Sequence, residues 1–221
     1  MKPKTKSDET RARILDAAVE LFRRRGFDSA TMREIASEAG VATGAAYYYF
    51  DSKDAIVLAF YDRAQREMQE RLEEALAGTR DFERRLRALI EVKLDYFAPD
   101  RALLGALAGH ADPEHPLSPF SAATREIRER DIQFFERVLA ESKVKVTGDL
   151  ATVLPQMLWM YQMGIVLFWI YDRSPEQRRT RALIEKSAGM VARLIKVSSF
   201  PLLRPVRKAV VELVETVAGT A

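Results

Sequence analysis

The 221-residue chain has no cysteine, only two histidines and a formal net charge of only +3. Without cysteine there is no disulfide, no thiolate metal site and no thiol nucleophile. Both histidines, His110 and His115, fall in one breaker-rich loop with Asp112 and Glu114 between them. Those are metal-donor types, but no further ligand stands at a useful spacing, so no metal site and no cofactor is assigned. A glycine-rich phosphate loop is also missing, as is any nucleophile beside a base, which argues against an enzyme. The small net charge excludes a non-specific coat for nucleic acid but leaves room for a local basic surface. Long uninterrupted apolar runs are absent too. The most apolar stretch, 150–171, is interrupted by Pro155, Gln156 and Gln162, and reads as a buried helix or a subunit interface rather than a membrane span. The first ten residues are polar, without the apolar core of a secretory signal, so the cytoplasm is the expected location.

What remains is a chain 48% hydrophobic and 30% charged, the balance of a globular protein of one or two domains. No strand alternation is found, and turn signals recur at helix-length intervals, so the expected fold class is all-α. Helices are predicted over 8–25, 32–39, 43–50, 53–77, 81–97, 101–109 and 118–141, then up to Tyr171 and over 175–197. A last amphipathic helix after Pro201 carries Val206, Val210 and Leu213 on one stripe. Ser174 and Gln177 are spaced as a capping box, with Pro175 at the first helical position. Phe120, Ile127, Phe134 and Val138 are expected on one face of the 118–141 helix.

Residues 31–54 carry the strongest functional signal. Thr31 and Glu34 are spaced as a capping box, which starts a helix at Met32. Ile35, Ala36 and Ala39 form its apolar face, and Gly40 can take the left-handed conformation that ends it. Val41 plugs the angle before a second short helix, 43–50. There Gly44, Ala45 and Ala46 permit close backbone approach, and Tyr47, Tyr48, Tyr49 and Phe50 follow. Phe50 is expected in the core. Three consecutive residues on a helix cannot all face one way, so some of the tyrosines must point out. Asp51 and Ser52 cap the next helix, with Lys53 in its first turn. Two short helices around a tight turn form the shape of a DNA-reading helix-turn-helix. A local basic surface can come from Lys2, Lys4, Lys6, Arg11, Arg13, Arg33 and Lys53.

Residues 9–60 resemble the DNA-binding domain of the TetR family of bacterial transcriptional repressors. The matching parts run from Arg13-Ile-Leu-Asp-Ala-Ala-Val-Glu-Leu-Phe22 through Gly26-Phe27, Thr31, Ile35-Ala36, Gly40-Val41 and Gly44 to Tyr47-Tyr48-Tyr49-Phe50 and Ser52-Lys53. Two positions depart from the common pattern: Tyr49, where histidine is frequent, and Ala46, where a larger aliphatic is frequent.

The resemblance implies an N-terminal three-helix DNA-binding domain over 1–53 and a larger helical domain over 54–221 that binds an effector and dimerises. It implies backbone or base contacts from Thr31 and Arg33. Thr43, Gly44 and Ala45 would face the major groove, Tyr47, Tyr48 and Tyr49 would contact phosphates and bases, and Lys53 would hold a phosphate. It further implies a homodimer on a double-stranded operator, joined through helices near 149–171 and 175–197, and a small-molecule effector. Candidate lining residues are Phe97, Leu103, Leu107, Phe120, Phe134, Trp159, Met163 and Trp169, with Tyr161 and Gln162 as polar contacts; as a set they favour an apolar or aromatic effector. The competing readings are an all-helical metal-dependent enzyme and a protein-binding scaffold.

Overall fold

Thr5 opens the first helix with a reciprocal capping box to Asp8, and three arginines close it before Gly26, which suits the helix dipole. The computed structural model describes residues 5–110, 112–146 and 148–218, and every regular element among them is helical. The helices are α1 (Lys6–Arg25), α2 (Met32–Glu38), α3 (Thr43–Tyr49), α4 (Lys53–Ala77), α5 (Phe82–Phe97), α6 (Arg101–Leu107), α7 (Arg125–Glu141), α8 (Gly148–Ala151), α9 (Leu154–Tyr171), α10 (Arg178–Ser198) and α11 (Arg204–Ala218). Single 3-10 turns precede α6, α10 and α11. No helix among the described residues is long and apolar enough to cross a membrane.

The chain divides into two packing units, one formed by residues 1–67 and 96–127 and the other by 68–95 and 128–221. The first is built around Ile14, Ala18, Ile35, Ala46, Phe50 and Ile56, all buried. Leu103 and Leu107 of α6 join the same core. Arg23 ties α1 to the turn before α6: its Nε and Nη2 donate to the buried carboxylate of Asp100 at 2.7 and 3.0 Å. The second unit buries Leu86, Leu89 and Ile90 of α5, Phe135 and Val138 of α7, Leu158, Trp159 and Trp169 of α9, and Ile184 of α10. Lys93 pairs with Asp131, and Arg85 with Glu141, at 2.5 Å each. Arg207 bolts α11 in place, donating to Asp149 and to the carbonyls of Ser198 and Phe200.

Four expectations change. The helix predicted from 118 begins only at Arg125. Ser121 Oγ donates to the Pro116 carbonyl and Thr124 Oγ1 to the Ser118 carbonyl, so side-chain hydroxyls take the backbone groups a helix would use. Phe120 is consequently exposed, and Phe135 rather than Phe134 is the fully buried ring of α7. The apolar stretch 150–171 divides into α8 and α9, with Pro155 in the first turn of α9.

The Ser174–Gln177 capping box does not form, because Glu176 and Gln177 adopt φ of 51° and 50°. Asp172 takes over the junction, accepting from the Ser174 amide at 2.9 Å and from the Thr180 amide and hydroxyl at 2.9 and 2.7 Å. Burial alone would raise the Asp172 pKa; these hydrogen bonds outweigh it and hold the carboxyl well below the usual carboxylate range. A depressed pKa contributes stability that is present above the unfolded value near pH 4 and is lost as pH falls below it. Asp172→Asn is therefore expected to lower the melting temperature at pH 7. In circular dichroism melts the gap from the parent protein should narrow steadily as pH drops from about 4.

Candidate nucleic-acid interface

The short helix α3 is placed by what it buries. Ala46 is fully buried and Phe50 nearly so, and both join the core shared by α1, α2 and α4. Gly40, at φ +63°, makes the turn from α2, and the Val41 amide closes it on the Ala36 carbonyl at 3.0 Å. The opposite face of α3 is then free. Tyr47 is 51% and Tyr48 83% exposed, and Thr43 and Gly44 are exposed beside them. Ala45 is half-buried. A Cβ built at Gly44 would meet nothing within 4 Å, so no neighbour inside the chain requires glycine there. Glycine is costly inside a helix.

Tyr49 differs from its neighbours. It packs half-buried against the core, its hydroxyl accepts from Ser7 Oγ at 3.3 Å, and its ring meets Tyr48 edge-on at 5.2 Å. It therefore props Tyr48 as well as bordering the exposed face. Thr31 completes the predicted capping box. Its hydroxyl and its amide both donate to Glu34, and the Glu34 amide donates back to its hydroxyl. Hydrogen bonds from Thr31, then the Arg25 guanidinium, hold the Glu34 carboxyl below its ordinary pKa. Arg33 is exposed and makes no ion pair with a described residue, whereas Arg24 and Arg25 are taken up by Glu38 and Glu34. Arg11 lies over the Phe50 ring at 4.7 Å. Of the other expected basic residues, Lys6 and Arg13 are exposed, while Lys2 and Lys4 lie outside the described residues.

Lys53 has an internal role that its sequence position did not reveal. Its ammonium donates to the carbonyls of Phe27 and Asp28 at 2.7 and 3.3 Å and sits 4.5 Å from the centre of the Phe27 ring. It closes α4 onto the turn between α1 and α2. Ser52 caps α4 as expected, accepting from the Ala55 amide at 3.1 Å.

The ten effector candidates fall into the two units. In the first, Leu103 and Leu107 are core, Phe97 packs on Phe60 at 5.9 Å, and Phe120 is exposed. In the second, Trp159, Gln162 and Trp169 are buried, and Phe134, Tyr161 and Met163 are half-buried. Tyr161 shares a hydrogen bond of 2.6 Å with Ser187, and burial pushes its phenol pKa up. It also lines an apolar groove of about 340 Å³ between α9, α10 and α11, walled by Leu154, Leu194, Leu203 and Val206. Sequence reasoning missed this groove; its signal is Arg207 alone on an apolar stripe, a cation that needs a buried partner. Outside the groove, α9 exposes Leu167, Phe168 and Tyr171, and α10 exposes Met190. Phe168, Leu183 and Met190 border a second, shallow apolar groove of about 480 Å³. Among the described residues, no group of three or more His, Asp or Glu is placed to hold a metal ion.

A family model described as "Bacterial regulatory proteins, tetR family" matches residues 14–60, and one described as "Tetracyclin repressor-like, C-terminal domain" matches residues 85–215, more than half of the chain. The chain is 39% identical over 93 residues to the HTH-type transcriptional activator FasR of Mycolicibacterium smegmatis. That alignment covers 42% of each protein, so the chain spans less than half of this curated relative's length. Two solved structures share the fold. A TetR transcriptional regulator from Nitrosomonas europaea has a TM-score of 0.65 at 22% identity, covering 84% of this chain and 99% of that one. The regulator FadR of Bacillus subtilis, in complex with stearoyl-CoA, has a TM-score of 0.60 at 21% identity, covering 79% of this chain and 95% of that one.

Lys53→Met should cost about 1–2 kcal/mol of stability in urea denaturation, because it unpairs the Phe27 and Asp28 carbonyls. A substitution that changed operator binding alone would leave that midpoint unmoved.

Proposed function

Because this chain belongs to the TetR family of bacterial regulatory proteins, which are helix-turn-helix transcriptional regulators and not enzymes, we propose that it is a ligand-responsive repressor acting as a homodimer in the cytoplasm. Residues 1–53 would read DNA, and residues 54–221 would bind the effector and dimerise. The observation that carries the reading is the outward face of α3: Tyr47 and Tyr48 exposed beside a glycine that nothing in the chain requires. Tyrosine hydroxyls suit phosphate oxygens, and their rings suit thymine methyls. Thr43, Gly44 and Ala45 would lie nearest the major groove, with Thr31 and Arg33 at its edge and Tyr49 and Lys53 bordering the phosphates.

Two copies would meet two half-sites of an inverted repeat, spaced by whole helical turns. The exposed apolar side chains of α9 and α10 support a subunit interface there, since such clusters mark interaction sites. An effector held among the apolar and aromatic residues of 54–221 would favour a dimer whose heads no longer match that spacing. The likeness to FadR, whose structure contains stearoyl-CoA, supports a ligand-bound state of this fold. Activation is the second reading, favoured by the likeness to a protein named an activator.

Selection from a random duplex library tests the proposal. A two-fold symmetric consensus, bound with an affinity that falls steadily with salt, is the expected result; a folded protein that enriches no sequence would refute it. Tyr48→Ala should weaken binding to that consensus about tenfold, about 1.4 kcal/mol, with an unchanged melting temperature. Met190→Glu should shift the protein toward monomer in sedimentation velocity and reduce operator affinity with it. A dimer of undiminished strength would move the interface elsewhere.

A further inference from the structure

We propose that the buried amide of Gln162 selects the effector, and that the effector is an apolar molecule bearing one neutral group that both donates and accepts a hydrogen bond: an alcohol, a phenol or a carboxamide. This inference rests on reading residues 54–221 as effector-binding. Gln162 stands in the middle of α9 on its buried stripe, with Leu158, Trp159, Ile165 and Trp169. Its exposure is 0%, and neither Oε1 nor Nε2 has a hydrogen-bond partner.

A primary amide carries two donors and an acceptor with two lone pairs. Buried polar groups are bonded almost without exception, because an unmade hydrogen bond forfeits the hydration of the group. The second unit follows that rule elsewhere. Asp172 accepts three hydrogen bonds, Ser142 donates to the Val138 carbonyl, and Arg207 is spent on Asp149 and two carbonyls. Arg85 has unpartnered nitrogens but keeps its ion pair to Glu141. Among the described residues of this unit, Gln162 is the buried side chain left with nothing. Methionine would fill the same length of space at no polar cost.

The chemistry of the missing partner follows from the amide. A group that offers both a donor and an acceptor satisfies it; a hydrocarbon satisfies neither end. Residues 154–171 include no charged side chain, so an ionised head beside Gln162 would lose its hydration without a counter-ion from this helix. A neutral head is therefore preferred, and the flanking indoles and aliphatics suit an apolar body.

The test uses the full chain and four probes: naphthalene, 2-naphthol, 2-naphthamide and 2-naphthoate. Thermal shift should rank the naphthol and the naphthamide at least tenfold tighter than naphthalene, with naphthoate weak. Gln162→Met should raise the ligand-free melting temperature by about 2–4 °C and erase the preference for the polar probes. A lower melting temperature in the variant would show that the amide is already satisfied in the free protein, and the inference falls. It falls equally if the preference survives in the variant, if naphthoate binds best, or if none of the probes binds. Operator release, measured separately, distinguishes the two readings. A probe that binds through Gln162 without releasing the operator refutes the effector reading alone, and release that ignores Gln162→Met refutes this inference alone.

Discussion

Helix α3 has seven residues, and a helix so short does not persist in water without tertiary support. Its N-cap, Ala42, contributes no side-chain hydrogen bond. It is helical because Ala46 and Phe50, one turn apart, are locked into the core of α1, α2 and α4. That single constraint decides the rest of the interface. Once positions 46 and 50 point inward, 44, 47 and 48 must point outward and 45 and 49 must lie at the margins; Thr43 is exposed because it opens the helix. Gly40 sets the angle at which the pair of helices meets, and Lys53 clamps the following helix to the turn at Phe27. The exposed tyrosines are thus held by a framework that does not depend on them.

Charge in the first unit is sorted in a way its small net value conceals. Most arginines of α1 are spent within the protein: Arg23 on Asp100, Arg24 on Glu38 and Arg25 on Glu34. Arg63 of α4 is likewise committed to Asp16. The exposed pairs among these, Arg24–Glu38 and Arg25–Glu34, contribute little individually, about 0–1 kcal/mol. Their effect is to neutralise one part of the surface, while Arg13 and Arg33 remain outward with no acidic partner among the described residues. A sequence reader needs such local basic character, not a high overall charge.

The second unit combines surfaces with different demands. Apolar side chains of α9 and α10 that face outward are an unfavourable use of surface unless covered, whereas the inward stripe of α9 is apolar except for one amide. Helix α11 is joined to this unit by a buried guanidinium that satisfies a carboxylate and two carbonyls at once. That is a stronger anchor than the amphipathic stripe of α11 alone suggests.

The sequence by itself determined whatever is settled within about one helical turn. The Thr31–Glu34 capping box, the left-handed Gly40, the stop of α4 at Ala77 and the burial of Phe50 follow from local chemistry, and the all-α class follows from apolar period. The order and spacing of 9–60 likewise pointed to the family. Only the tertiary structure decided which residues meet across long separations. Lys53 finds carbonyls in the turn before α2, and Asp172 captures Thr180 and displaces the box at Ser174. Leu103 and Leu107 enter the core around α1–α3, and Phe120 is left outside by a hydroxyl-bonded turn. A residue's period and type state what it can bury or bond. Which partner it reaches depends on what the rest of the chain brings to it, and no local pattern records that.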